Sequence, residues 1–283
     1  MKTWTVTRIR QAKGKQKLAC LTAYDCSTAR MMDEAGIPLI LVGDSLGMTV
    51  LGYESTLPVT MEQMLHHTAA VVRGVKNALV IADMPFLSYQ PSLEVGIVNA
   101  GRLLKEAGAD AVKIEGGAFR ADLVRALTAN GIPVVGHIGL TPQSIRELGG
   151  YKLQGRTAPA ADQLRTDARV LNEAGIFALV LECIPAPLAA EITAATTTPT
   201  IGIGAGPGCD GQVLVSHDML GLNEQFQPKF VKAYAQLAPQ MRDAFAAYAR
   251  DVANGTFPAP EHSYDPLPES PDALHNPLAP PPV

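Results

Sequence analysis

Short runs of aliphatic residues recur along the chain, each separated from the next by a longer segment with helical spacing. The runs are LACLT (18–22), PLILVG (38–43), ALVIA (78–82), DAVKI (110–114), IPVVG (132–136), FALVL (177–181) and PTIGI (199–203), with a weaker eighth in QVLVS (212–216). They are apolar throughout rather than alternating, as suits parallel strands buried on both faces. The segments between them read as helices. Thr60 and Gln63 form the ends of a capping box, and Met61, Met64, Leu65, Thr68, Val71 and Val72 then fall on one face. Further helices are expected over 27–35, 92–107, 119–129, 160–174, 187–195 and 229–253. Several stop at a glycine, as in EAGI (34–37 and again 173–176), EAGAD (106–110) and ANGI (129–132). Seven or eight βα units in roughly 250 residues predict an α/β fold of the (β/α)8 TIM barrel type. An open doubly wound sheet is the rival, but it gathers its functional groups at one switch point. Here polar groups close nearly every strand, which suits a ring.

Composition narrows the function classes. Of 283 residues, 47% are hydrophobic, enough for a large core. The net charge of −4 comes with no Lys/Arg cluster, so no nucleic-acid footprint is present. No apolar run reaches the ~20 residues of a membrane span, and the basic N-terminal stretch lacks the apolar segment of a secretory signal. The four cysteines (Cys20, Cys26, Cys183, Cys209) form no CxxC pair, and reduced thiols in a cytoplasmic protein are expected. Residues 258–283 hold nine of the 22 prolines, so a single barrel domain over 1–257 followed by an extended or disordered tail is expected.

Side chains at the C-terminal ends of barrel strands share one mouth. Asp44, Asp83, Glu115, His137 and Glu182 each sit at or just beyond such an end. Four carboxylates facing one cavity repel each other, and a hard divalent cation relieves that; oxygen donors suit Mg²⁺ or Mn²⁺ better than zinc. Any one of the acids alone also fits a helix cap or a structural ion pair. Lys113 and Glu115, two apart in a strand, share a face. The lysine can pair with the glutamate, hold a substrate anion or form a Schiff base; acidic neighbours favour the protonated, anion-binding form. Glu182 is a candidate general base, and His137 a candidate donor to a developing oxyanion. Gly43-Asp44-Ser45 places a hydroxyl beside a carboxylate where small neighbours let a substrate approach. Gly206-x-Gly208-x-x-Gly211 matches the dinucleotide fingerprint by letter but lacks a βαβ setting, and is read as a rim turn. His66 and His67 lie on a helix outside the barrel and are expected at the surface or in packing.

Together, LTAYDCSTA (21–29), LVGDSLGMTVLGYESTLPVTMEQM (41–64), ADMPFLSY (82–89), VKIEGG (112–117), VVGHIGLTPQSIRELGGYKLQGRT (134–157), LVLECIP (179–185) and IGIGAGPGCDGQVLVSHDMLGL (201–222) resemble the ketopantoate (3-methyl-2-oxobutanoate) hydroxymethyltransferase family. The likeness runs from about residue 3 to residue 264, and the proline-rich tail after about His262 is not part of the shared pattern. It implies a phosphoenolpyruvate/pyruvate-type barrel in pantothenate biosynthesis, with one Mg²⁺ per subunit. The enzyme would move a one-carbon unit from 5,10-methylenetetrahydrofolate to 3-methyl-2-oxobutanoate, giving 2-dehydropantoate through a Mg-stabilised enolate. By resemblance Asp44, Asp83 and Glu115 are metal ligands, Ser45, Lys113 and Asp83 bind the oxoacid, and Glu182 is the base. A cytoplasmic homo-oligomer, a decamer, is also implied. The alternative is a Mg-dependent oxoacid C–C lyase on a related barrel, which would not need folate; a non-catalytic oxoacid sensor would not need the base.

Overall fold

A computed structural model describes residues 2–224 and 228–264. Its strands are β1 (Leu18–Thr22), β2 (Leu39–Val42), β3 (Leu79–Asp83), β4 (Ala111–Glu115), β5 (Val134–Gly139), β6 (Ala178–Glu182), β7 (Thr200–Ile203) and β8 (Gly211–Leu214). All pair in parallel, in chain order, and β8 returns to β1 to close the ring. The helices are α1 (Val6–Gln11), α2 (Cys26–Glu34), α3 (Leu46–Thr49), α4 (Met61–Gly74), α5 (Leu93–Lys105), α6 (Ala121–Ala129), α7 (Ile145–Leu148), α8 (Ala158–Ala174), α9 (Ala186–Ala195), α10 (Ser216–Met219) and α11 (Leu237–Ala253). By contacts the chain divides into two compact units, Met1–Ala235, which holds the barrel, and Gln236–Val283, which holds α11. Residues 265–283, most of the proline-rich tail, lie outside the described residues.

Two cores follow from the period-two geometry of the strands. Residues such as Val112, Ile114 and Val134 face outward and meet the helices. Their alternates, including Leu39, Ile81, Val135, Val180 and Val213, fill the inside of the ring. α1 belongs to this inner core. Its Ile9 is fully buried, and Trp4 and Val6 pack beside it, so α1 closes the floor of the barrel. Asp210 ties that floor together, accepting from Lys13 Nζ at 2.7 Å, Gly14 N at 3.1 Å and Thr200 N at 2.9 Å.

Three departures from the sequence expectation have physical causes. Helix α11 starts at Leu237 rather than 229. Pro239 is tolerated in a first turn, whereas a helix begun at 229 would place it in the interior. β5 runs to Gly139 instead of 136 because its pairing with β6 continues to Gly139↔Glu182. β7 and β8 are joined by residues 204–210 without a helix, although parallel strands usually need one. The glycine run forms this strap and opens no helix of a dinucleotide fold. A Cβ on Gly206 or Gly208 would come within 2.4 or 2.7 Å of Ala186 or Ala190, so glycine lets the strap lie against α9.

Candidate active site

The strand register assembles the site. Asp83 on β3 is level with Lys113 on β4, Glu115 with His137 on β5, and Gly139 with Glu182 on β6. Asp83, Glu115 and Glu182 are the last residues of their strands, His137 lies two short of its strand end, and Asp44 follows β2 by two. All five, with Ser45 and Lys113, line one cavity of about 120 Å³ at the C-terminal end of the barrel. Cys20, Ile81 and Val180 form part of its wall. The cavity is buried: Asp44, Asp83, Lys113, Glu115 and His137 are each 5% exposed or less.

Short contacts bind the cluster. Asp44 N donates to Asp83 Oδ2 at 3.0 Å. A Cβ on Gly43 would lie 2.7 Å from Ser45 Oγ, so a side chain there would displace that hydroxyl. Lys113 Nζ is 3.1 Å from Asp83 Oδ1, 3.9 Å from Glu115 Oε1 and 3.2 Å from His137 Nδ1. His137 Nε2 is 3.1 Å from Glu182 Oε2. When the imidazole is neutral, Nδ1 accepts from the Lys113 ammonium and the proton sits on Nε2; when charged, both nitrogens carry one. In either state Nε2 carries a proton and lies beside Glu182, off the axis of a hydrogen bond, while the ring lines the cavity. Ser45 Oγ is 2.9 Å from Tyr24 Oη.

Electrostatics follow from three buried carboxylates around one ammonium. Burial, then the charges of Asp83 and Glu115, push Asp44 well above the usual carboxylate range. Burial also raises Asp83, with Lys113 offsetting part of the effect. Burial alone would lower Lys113, but Asp83, Glu115 and Asp44 outweigh it and hold the ammonium above the ordinary lysine value. A lysine held protonated is an anion holder and a poor amine nucleophile. For Glu115 burial opposes ionisation, yet His137, Lys113 and the Gln143 N–H keep it below its usual range. Burial and the neighbouring Glu182 push the Cys183 thiol up to about 12, which excludes a thiolate nucleophile there at neutral pH.

The donor set fits a hard cation. Asp83 Oδ1 and Glu115 Oε1 are buried without a hydrogen bond; the Lys113 ammonium is near enough to pair with both but off the axis of a bond. Among the described residues no three His, Cys, Asp or Glu side chains converge as a complete metal cage. Mg²⁺ commonly keeps waters and substrate oxygens in its shell and takes only one or two carboxylates from the protein.

Three residues escaped the sequence reading. Gln143, in the turn after β5, donates Nε2 to Asp44 Oδ2 and to Met84 O, both at 2.9 Å, and its backbone N to Glu115 Oε2 at 2.9 Å. Tyr89 donates its hydroxyl to Gln143 Oε1 at 2.8 Å and accepts from Glu115 N at 3.1 Å. Tyr24 reaches Ser45 from the loop after β1. Only their presence in the long motifs marks them, since a lone Tyr or Gln in a loop carries no chemical signature. His67 is structural, its Nδ1 being 2.7 Å from Tyr24 O.

Similarity to known proteins agrees with the geometry. Among the described residues no helix is long and apolar enough to cross a membrane. Phosphoenolpyruvate phosphomutase from Streptomyces platensis subsp. rosaceus superposes with a TM-score of 0.59 at 14% identity, covering 93% of this chain and 92% of that one. A phosphonopyruvate hydrolase solved with oxalate and Mg²⁺ gives 0.57 at 14% identity, with 93% of each chain covered. At such identities the likeness establishes the barrel fold alone. A 3-methyl-2-oxobutanoate hydroxymethyltransferase from Syntrophus aciditrophicus (strain SB) is 58% identical over 262 residues, 93% of this chain and 96% of the relative. One of the same name from Heliobacterium modesticaldum is 59% identical over 252 residues, 89% of this chain and 91% of the relative. A family profile described as ketopantoate hydroxymethyltransferase matches residues 3–260. Matched along nearly its whole described length, the chain belongs to the ketopantoate hydroxymethyltransferase family.

Proposed function

We propose that this chain transfers a one-carbon unit from 5,10-methylenetetrahydrofolate to 3-methyl-2-oxobutanoate, giving 2-dehydropantoate for pantothenate synthesis in the cytoplasm. The observation that carries the reading is the buried acid cluster, with its two unbonded carboxylate oxygens, in a chain of this family. Asp44 and Asp83, with Glu115 beside them, would hold a divalent cation, Mg²⁺ by donor chemistry. When bound, that cation supplies the Lewis acidity that makes the proton next to the ketone removable by a carboxylate. Lys113 Nζ and Ser45 Oγ hold the substrate carboxylate. Glu182 takes the proton from C3, with His137 Nε2 beside it at 3.1 Å. The cavity walls, Ile81 and Val180 among them, keep bulk water from below the reacting carbon. The transferred carbon ends bonded to C3 and to a hydroxyl, both of its bonds to folate nitrogen are broken, and one water is consumed. The likeness to 2,3-dimethylmalate lyase, at 15% identity, supports the shared fold and not a lyase reaction. The catalytic domain is residues 1–257, and the protein assembles as a homo-oligomer, a decamer by family resemblance; light scattering measures the mass.

The test is turnover with both substrates. Activity should vanish in EDTA and return with Mg²⁺; turnover in EDTA, or without folate, counts against the reading. For Glu182→Gln, calorimetry should show oxoacid binding retained while deuterium exchange at C3 slows ~10²–10⁴-fold. Exchange at the parent rate removes Glu182 as the base.

A further inference from the structure

The amide of Gln143 has two N–H donors and an oxygen with two lone pairs, and all four are engaged. Nε2 reaches Asp44 Oδ2 and Met84 O, and Oε1 accepts from Tyr89 Oη at 2.8 Å and Gln90 Nε2 at 3.1 Å. Turned over, the amide would set oxygen against two acceptors, so its partners fix its orientation. The same residue's backbone N–H holds Glu115 Oε2. Each contact occupies one oxygen of an acid, and Glu115 Oε1, the other oxygen of that carboxylate, has no hydrogen bond. Lys113 pairs with Asp83 and Glu115, whereas among the described residues Asp44 has no ammonium at ion-pairing distance. Its side-chain donor is the neutral amide, which orients the carboxylate without cancelling its charge.

We propose that Gln143 is a positioning residue for the cation site: its side chain and backbone fix which oxygen of Asp44 and of Glu115 is left free for the ion. Tyr89 completes the device by locking Gln143 to the Glu115 backbone, so the loops after β3 and β5 set the ligand geometry together. A neutral donor is required at this position. A lysine or arginine would pair with Asp44 and compete with the ion, and an aliphatic side chain would let the carboxylate turn. The inference rests on the reading that a divalent cation binds at Asp44 and Asp83.

The experiment titrates Mn²⁺, without substrates, into the full-length parent, Gln143→Leu, Tyr89→Phe and Asp44→Asn, following free Mn²⁺ by electron paramagnetic resonance. Thermal melts in EDTA run in parallel. Gln143→Leu should weaken Mn²⁺ ~10–100-fold, as loss of a ligand's outer partner does, while its EDTA melt, lowered because buried partners lose their bonds, stays cooperative. Tyr89→Phe should weaken it by a smaller factor. Mn²⁺ bound equally by parent and Gln143→Leu overturns the positioning role and leaves the cation site standing. A parent that binds no better than Asp44→Asn overturns the cation site, and the inference with it. If Gln143→Leu does not fold, Tyr89→Phe decides, because it keeps the ring and removes only the hydroxyl; parent-like binding there overturns the proposal.

Discussion

Cys183 shows how a single residue shapes the base beside it. It is one of two non-glycine residues with positive φ among those described, at 47°. Its backbone is held on both sides, with its N donating to Ile203 O and Gln154 N donating to its carbonyl, both at 2.8 Å. Such a left-handed conformation costs an ordinary side chain ~1 kcal/mol, so Cys183→Gly should raise stability by about that amount in denaturant titration. The thiol supplies a second check. With its pKa pushed up to about 12, alkylation of Cys183 by a small reagent should keep climbing between pH 8 and pH 10 without a plateau. A plateau near pH 8 would mean the thiol is not shielded as described. Neither property was legible in FALVLECIP, because φ is set by the pairing of β6 with β5 and β7 and by the Gln154 loop. The acids themselves were legible, since a carboxylate after an aliphatic run needs a reason. Their partners were not: Lys113 meets Asp83 only through the β3–β4 register, and Gln143 meets Asp44 across 99 residues of chain.

Asp33 does comparable work for whole elements. It lies in α2, buried, and its carboxylate accepts from the backbone N–H groups of Lys76, Asn77 and Ala78, at 3.1, 2.9 and 2.7 Å for the shortest contact of each. It thereby fastens the end of α4 and the start of β3 to the preceding βα unit. Burial opposes its ionisation, but these bonds win and hold its pKa below the usual value. A depressed carboxylate stabilises the fold fully above its unfolded pKa of ~3.9 and loses that contribution as pH falls through the folded value. Asp33→Asn should therefore cost ~1–3 kcal/mol at pH 7, with the gap to the parent narrowing below about pH 4. A gap that is constant with pH would assign the loss to packing instead. The long elements could be read from the sequence because apolar runs and glycine stops mark them locally. α1, α3, α7 and α10 could not, since six residues or fewer carry no helical period. The helix-free link from β7 to β8 was hidden as well: its glycines answer to Ala186 and Ala190 on α9, which local sequence does not reveal.

At the scale of the molecule, the inner core that α1 closes from below is also the wall of the cavity, but α1 itself does not line it. Ile9→Ala, in the floor helix, should cost ~2–5 kcal/mol in denaturant titration yet change the KM for oxoacid less than ~3-fold, because Ile9 does not line the cavity. A chain stopped after Phe257 should keep kcat/KM within ~2-fold of the parent, since it retains all eight strands and every residue of the acid cluster; a larger loss would give the tail a part in the reaction. The ring also has a seam, where Leu18 lies beside Gly211. During synthesis β1 leaves the ribosome early, and its second flank has no partner until β8 follows. At ~5–20 residues per second that wait lasts on the order of 10–40 s. For that interval an apolar strand edge lies open to mispairing, and a cell that makes this protein quickly has to shelter the edge until the last stave arrives.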